Sequence, residues 1–140
     1  MEFVAPVEED EIFSSGITAT EHPGFVGYPG DHEKSFKSTA YCPRGKQYFC
    51  GGFNGGDSKA FLQMAATIVE RIDEDDRNGV RAVWVDESHF NKYLYDNPPA
   101  KILTPSFCYP EDTERYLEIW KKANRGPFEP KLIALDKGKR

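Results

Sequence analysis

The sequence predicts an α/β fold in which a mixed sheet is flanked by helices. Residues 57–77 place Phe61, Leu62, Ala65, Ile68, Val69 and Ile72 at helical spacing, opposite Lys59, Gln63, Glu70 and Arg71. On either side of that helix, the short runs Gln47–Phe53 and Val80–Val85 are aromatic or apolar and read as strands. Strands that alternate with helices in this way pack as α/β layers. At 140 residues the chain is one domain or part of one.

The elements follow in order. Residues 1–15 mix short apolar pieces with the acidic run Glu8-Glu9-Asp10-Glu11, expected to be a solvated loop or helix turn. Residues 16–28 read as a strand that ends in the turn His22-Pro23-Gly24. Residues 29–46 are rich in Gly, Pro, Ser and Lys and read as an irregular loop. The strand Gln47–Phe53 is expected to break at Asn54-Gly55-Gly56. Asp57 or Ser58 then caps the long helix, which ends in the acidic turn Asp73-Glu74-Asp75-Asp76 before Gly79. After the strand Val80–Val85, Asp86 caps a second helix that Asn97-Pro98-Pro99 stops. Lys101-Ile102-Leu103 reads as a strand, residues 111–123 as a short amphipathic helix, and Leu132–Leu135 as a last strand or extended arm.

Composition excludes several classes. A net charge of -5 argues against a nucleic-acid partner, whose footprint would be a basic stripe. No apolar run approaches the length that crosses a bilayer, and Met1-Glu2-Phe3-Val4 has neither the basic nor the apolar region of a signal peptide. Cys42, Cys50 and Cys108 are odd in number and lack metal-ligand spacing, so no metal site is expected. They read as buried free thiols in a reducing compartment, which points to the cytoplasm.

The densest chemistry lies in Ala82-Val83-Trp84-Val85-Asp86-Glu87-Ser88-His89-Phe90-Asn91-Lys92-Tyr93. It falls where a short apolar run meets a helix start, the kind of junction that gathers ligands. Glu87 near the positive helix end would be an ionised, fixed carboxylate, suited to stabilising or attacking a cationic sugar carbon. Acidic residues at helix starts also serve simply as caps. Trp84 offers an indole face of the kind that stacks on sugars, or a core side chain. In Tyr48-Phe49-Cys50-Gly51-Gly52-Phe53-Asn54-Gly55-Gly56, glycines on a strand let a ligand approach the backbone closely, or mark a bulge.

Three of these segments together resemble glycosyltransferase family six, the family of the histo-blood-group A and B transferases, the α-1,3-galactosyltransferases and their bacterial and phage relatives. Asp86-Glu87-Ser88-His89-Phe90-Asn91-Lys92-Tyr93 after a tryptophan is similar to the family signature. Tyr48–Gly56 resembles its aromatic-aromatic-x-Gly-Gly-Phe-x-Gly-Gly segment. His22-Pro23-Gly24-Phe25 with Gly27 resembles its acceptor-binding turn.

The resemblance implies the C-terminal part of a GT-A type nucleotide-sugar transferase, with residues 1–140 forming the acceptor-side and catalytic half. It implies a retaining α-1,3-hexosyltransferase that moves GalNAc or Gal from a UDP-sugar to a galactose-containing acceptor. Glu87 would be the catalytic carboxylate. Cys50, Gly51, Gly52 and Asp86 would hold the donor sugar, His22 and Trp84 the acceptor, and Lys131 and Lys137 the diphosphate. In the family the positions of Cys50 and Gly52 choose between GalNAc and Gal.

Two departures stand out. Val85 replaces a histidine usual in mammalian members, and Thr104-Pro105-Ser106-Phe107-Cys108-Tyr109-Pro110 lacks the two acids of the vertebrate Ser-Pro-Glu-Tyr-x-Trp-Asp segment. The family's nucleotide-binding half ends in an Asp-x-Asp motif that holds Mn2+, or Asn-x-Asn in metal-independent bacterial members, and that motif is not matched here. The expectation is a fragment, a truncated product or one half of a split enzyme whose N-terminal half is encoded separately. Membrane association through such a region stays open, as does a second reading: a non-catalytic galactoside-binding remnant.

Overall fold

A computed structural model describes residues 1–136. Two small mixed sheets organise them. In the first, β2 (Ile17–Glu21) lies between β3 (Phe49–Gly56), to which it is antiparallel, and β4 (Lys101–Leu103), to which it is parallel. In the second, β6 (Leu132–Ala134) lies between β1 (Glu2–Phe3) and β5 (Tyr109–Pro110). All five residues of β2 are buried, as a central strand covered on both faces requires. Thr18 and Thr20 satisfy their hydroxyls internally, on Ile12 O and Phe53 O, both at 2.8 Å.

The core forms where Ile17, Ala19 and Phe49 of the first sheet meet Met64 of α2 (Ser58–Arg77) and Phe90, Tyr93 and Leu94 of α3 (Asp86–Asp96). A short helix α1 (Glu9–Ile12) holds the acidic run, and α4 (Glu114–Lys122) covers the His22 turn. Trp120 of α4 is buried there and donates from Nε1 to Pro23 O at 2.8 Å, so the apolar ring packs while its one polar group is satisfied. Arg125 pairs with buried Glu21 at 2.9 Å and ties the end of β2 to the chain after α4.

Four expectations need correction. Residues 80–85 form no strand and lead into a turn at 83–85: buried Glu33 accepts the Val83 N–H at 2.6 Å, taking a group that a strand would present to its neighbour. Asn54-Gly55-Gly56 does not break β3, because these residues pair with Ala19, Thr18 and Ile17 beyond an irregularity at Ala19/Thr20. Asp73–Asp76 stay helical through Arg77, and Asp75 is buried. Helix α2 turns Leu62 and Val69 outward, 67% and 56% exposed, and buries Met64 instead.

Candidate functional site

Helix α3 begins on a strained residue. Val85 precedes it with φ 47° and ψ -118°, a conformation that a β-branched side chain rarely adopts. Such backbone costs on the order of 1–3 kcal/mol and persists only where surrounding contacts hold it. Trp84 N–H donates to Ser88 Oγ at 3.0 Å, Glu87 N–H to Trp84 O at 3.0 Å, and His89 N–H to Val85 O at 3.4 Å. Val85 is thus the residue just outside the helix, and Asp86, expected to cap it, is its first helical residue. The carboxylates of Asp86 and Glu87 stand in the first turn, where the positive end of the helix favours them.

Glu87 reaches from this turn to β3. Its Oε2 accepts the Gly51 N–H at 2.8 Å. A Cβ placed on Gly51 would lie 3.5 Å from the same oxygen, so the glycine strand and the carboxylate are in direct contact. Behind them Tyr48 is buried, and its hydroxyl interacts with the Glu87 carboxylate. Burial, followed by the negative charge of Glu87, pushes the Tyr48 hydroxyl well above its ordinary range. The His22 ring packs edge-on against Tyr48 at 5.7 Å, and its Nδ1 accepts the Gly24 N–H at 3.0 Å. Burial lowers the His22 pKa against the opposing pull of Glu87, so His22 is held neutral.

The remaining residues group around this centre. Cys50 and Cys108 are buried free thiols in mutual contact. That contact and then burial push Cys50 up, whereas Cys108 is lowered by the hydrogen bond from Cys50. A Cβ on Gly52 would lie 3.1 Å from Cys108 Sγ and 2.7 Å from Met1 Cε. His22 and Cys108 also line a cleft of 550 Å³ together with Asp112, Arg115 and Tyr116. Trp84 is half exposed and donates from Nε1 to Asp31 Oδ2 at 2.8 Å.

The structure therefore brings Glu87, Gly51, Gly52, Cys50 and His22 together. Asp86 and Trp84 are exposed on the same junction. Lys131 pairs with Glu11 and stands over the Phe107 ring at 5.7 Å. Lys137 lies outside the described residues. Among the described residues no group of three or more His, Cys, Asp or Glu side chains could hold a metal ion, and no helix is long and apolar enough to cross a membrane.

The glycine strand held against a helix-start carboxylate is the arrangement around which the sequence matches fall. Residues 10–124 match the model of Glycosyltransferase family 6. The chain belongs to glycosyltransferase family 6. It is 37% identical over 113 residues to the histo-blood group ABO system transferase 1 of Rattus norvegicus, covering 77% of this chain and 32% of that protein. It is 29% identical over 109 residues to the globoside alpha-1,3-N-acetylgalactosaminyltransferase 1 of Gallus gallus, covering 74% of this chain and 32% of that protein. It is 35% identical over 86 residues to the alpha-1,3-galactosyltransferase 2 of Homo sapiens, covering 61% of this chain and 23% of that protein. The chain thus spans about a third or less of the length of these curated relatives. Its mixed sheets and flanking helices fit the GT-A type fold of this glycosyltransferase family.

Sequence reasoning missed two groups of this site. Tyr48 was visible only as part of the aromatic-glycine segment, without a role. Asn91 stands four residues after Glu87, a spacing that places both on one helix face, and that spacing was the available signal.

Proposed function

We propose that the chain is the acceptor-side and catalytic part of a retaining α-1,3-hexosyltransferase that moves GalNAc or Gal from a UDP-sugar to a galactoside. The observation that carries this reading is the Glu87 carboxylate, fixed by Gly51 N–H at 2.8 Å on a strand of bare glycines. With no Cβ on Gly51 or Gly52, a sugar can approach that strand closely once Met1, whose Cε lies 2.7 Å from where a Gly52 Cβ would stand, moves aside, and the carboxylate then lies beneath it.

In the reaction the bond from the anomeric carbon to the departing UDP oxygen breaks, and a bond to the acceptor hydroxyl oxygen forms on the same face of the ring. The acceptor proton leaves to the departing diphosphate. Positive charge develops on the anomeric carbon between these events, and the anionic Glu87 stabilises it or attacks it to form a glycosyl–enzyme. Asp86, exposed in the first turn of α3 beside Glu87, would hold donor-sugar hydroxyls. His22 and the cleft beside it would receive the galactoside, with Asp112 supplying an acid close to the segment that lacks those of the vertebrate members. Lys131 and Lys137 would meet the diphosphate, which requires Lys131 to leave Glu11. Manganese, implied by the family, finds no cluster of ligands among the described residues, so none of them is given a metal-binding role.

A binding-only reading is favoured by the same cleft, which would grip a galactoside without any chemistry. Donor hydrolysis and transfer with UDP-GalNAc and UDP-Gal, with and without manganese, separate the two. Glu87→Gln keeps the shape and removes the charge, so turnover should fall by orders of magnitude with little change in donor affinity. Equal rates for Glu87→Gln and the wild type would remove Glu87 from the reaction.

A further inference from the structure

Glu87 and Asn91 stand one helical turn apart on α3, and both reach the free edge of β3. Among the described residues that strand has β2 on one side only. On the other side the main chain of Phe49 is held by Asn91: Oδ1 accepts the Phe49 N–H at 2.8 Å, and Nδ2 donates to the Phe49 carbonyl at 2.8 Å. Two residues along the same edge, Gly51 N–H donates to Glu87 Oε2 at 2.8 Å. The spacing matches, because four helical residues advance about 6 Å and two strand residues about 7 Å. Two side chains at i and i+4 thus do for this edge what a neighbouring strand would do. Asn91 also donates from Nδ2 to the Glu87 carbonyl at 3.0 Å, closing the two-point contact. It is 2% exposed, so water does not compete for these bonds.

We propose that Asn91 is the positioning residue for Glu87. Its amide fixes the distance between the first turn of α3 and β3, and that distance decides whether Glu87 Oε2 can take the Gly51 N–H. The catalytic consequence rests on the reading of Glu87 given above, whereas the positioning stands on the hydrogen bonds alone. The strained Val85 is held locally by the Trp84–Ser88 and His89–Val85 bonds, and Asn91 adds the contact that ties this helix start to β3.

The test reads geometry and rate separately in the full chain. In isotopically labelled protein, replacing the carboxylate by Glu87→Gln moves the Gly51 amide resonance, because that N–H donates to it. Asn91→Ala should reduce this shift by about threefold or more while the spectrum keeps the dispersion of a folded protein. Donor turnover should fall about tenfold or more in kcat with KM within about threefold of wild type, the pattern of lost orientation rather than lost binding. Asn91→Gln keeps an amide that can both accept and donate but displaces it by one methylene. It should fall between wild type and Asn91→Ala in both readouts, and it carries the test alone if Asn91→Ala does not fold. The resonance readout decides the matter even without measurable turnover. A Gly51 amide that responds to Glu87→Gln with wild-type amplitude in a folded Asn91 variant overturns the proposal. Uncoupling in the Asn91 variants, combined with unchanged turnover in Glu87→Gln, leaves the positioning intact and overturns the catalytic reading of Glu87.

Discussion

Gly52 shows how much rides on one hydrogen atom. A methyl group there would point at Met1 Cε, the flexible end of an exposed side chain, and at Cys108 Sγ, which is buried against Cys50. Met1 can move aside, and the thiol can yield only a little, so the added methyl subtracts from the space over β3. If the N-acetyl group of a donor lies here, Gly52→Ala should move preference from UDP-GalNAc toward UDP-Gal, since one methyl in a pocket is worth roughly 1–3 kcal/mol in discrimination. The ratio of transfer rates from the two donors measures this, and an unchanged ratio would detach Gly52 from donor choice. At this scale the sequence shows which residue types are available and hides which atoms meet. Trp84, Asp86 and Glu87 are legible because polar groups crowd one junction. That Glu87 closes on Gly51, 36 positions away, depends on how α3 docks on β3. No local pattern encodes that docking, and the family resemblance alone pointed to it.

Among the elements, α2 was the most legible and Val80–Val85 the least. Helical spacing and the Asp57 cap located α2 correctly, and Asp57 Oδ1 does accept the Ala60 N–H at 2.9 Å. Asp57→Ala should therefore destabilise the fold by about 1 kcal/mol, read as a lower denaturation midpoint at constant slope. No change in midpoint would show that α2 is held by packing alone. The far end of α2 was misread because four acidic residues in a row suggest a solvated turn. Asp75 is instead satisfied inside, by Ser38 Oγ at 2.5 Å and Thr39 N–H at 2.8 Å, partners contributed by a loop that carries no pattern of its own. Val80–Val85 failed for a related reason. Its apolar residues have strand propensity, but a strand also needs a neighbour, and Glu33 from that same loop bonds the Val83 N–H first.

For the molecule as a whole, all three histidines are shifted in the same direction, and this fixes how stability responds to acid. Burial is the first cause of lowering in His22, in His32 and in His89. His89 of α3 is 2% exposed and meets Asp75 of α2, with Nε2 3.5 Å from Asp75 Oδ2. The groups around it pull both ways. Asp75, Glu33 and Asp86 favour its protonation, Arg71 opposes it, and burial prevails. Each folded-state pKa is thus below the ordinary histidine value, so the unfolded chain binds protons first as pH falls. The stability linked to these groups is fully present above the ordinary histidine pKa and is lost as pH drops through the folded values. Asp75 follows the same sign at lower pH. Burial acts to raise its pKa, the Ser38 and Thr39 hydrogen bonds outweigh burial, and the net lowering costs stability only when the carboxylate itself is protonated. The melting temperature should therefore decline between pH 7.5 and pH 5, about one unit above and one and a half below the ordinary histidine pKa. His89→Gln, which cannot titrate, should have a shallower decline than the wild type. A melting temperature that stays level across that range, or a His89→Gln slope equal to that of the wild type, would show that His89 keeps its ordinary affinity for protons and that the α2–α3 contact is not its determinant.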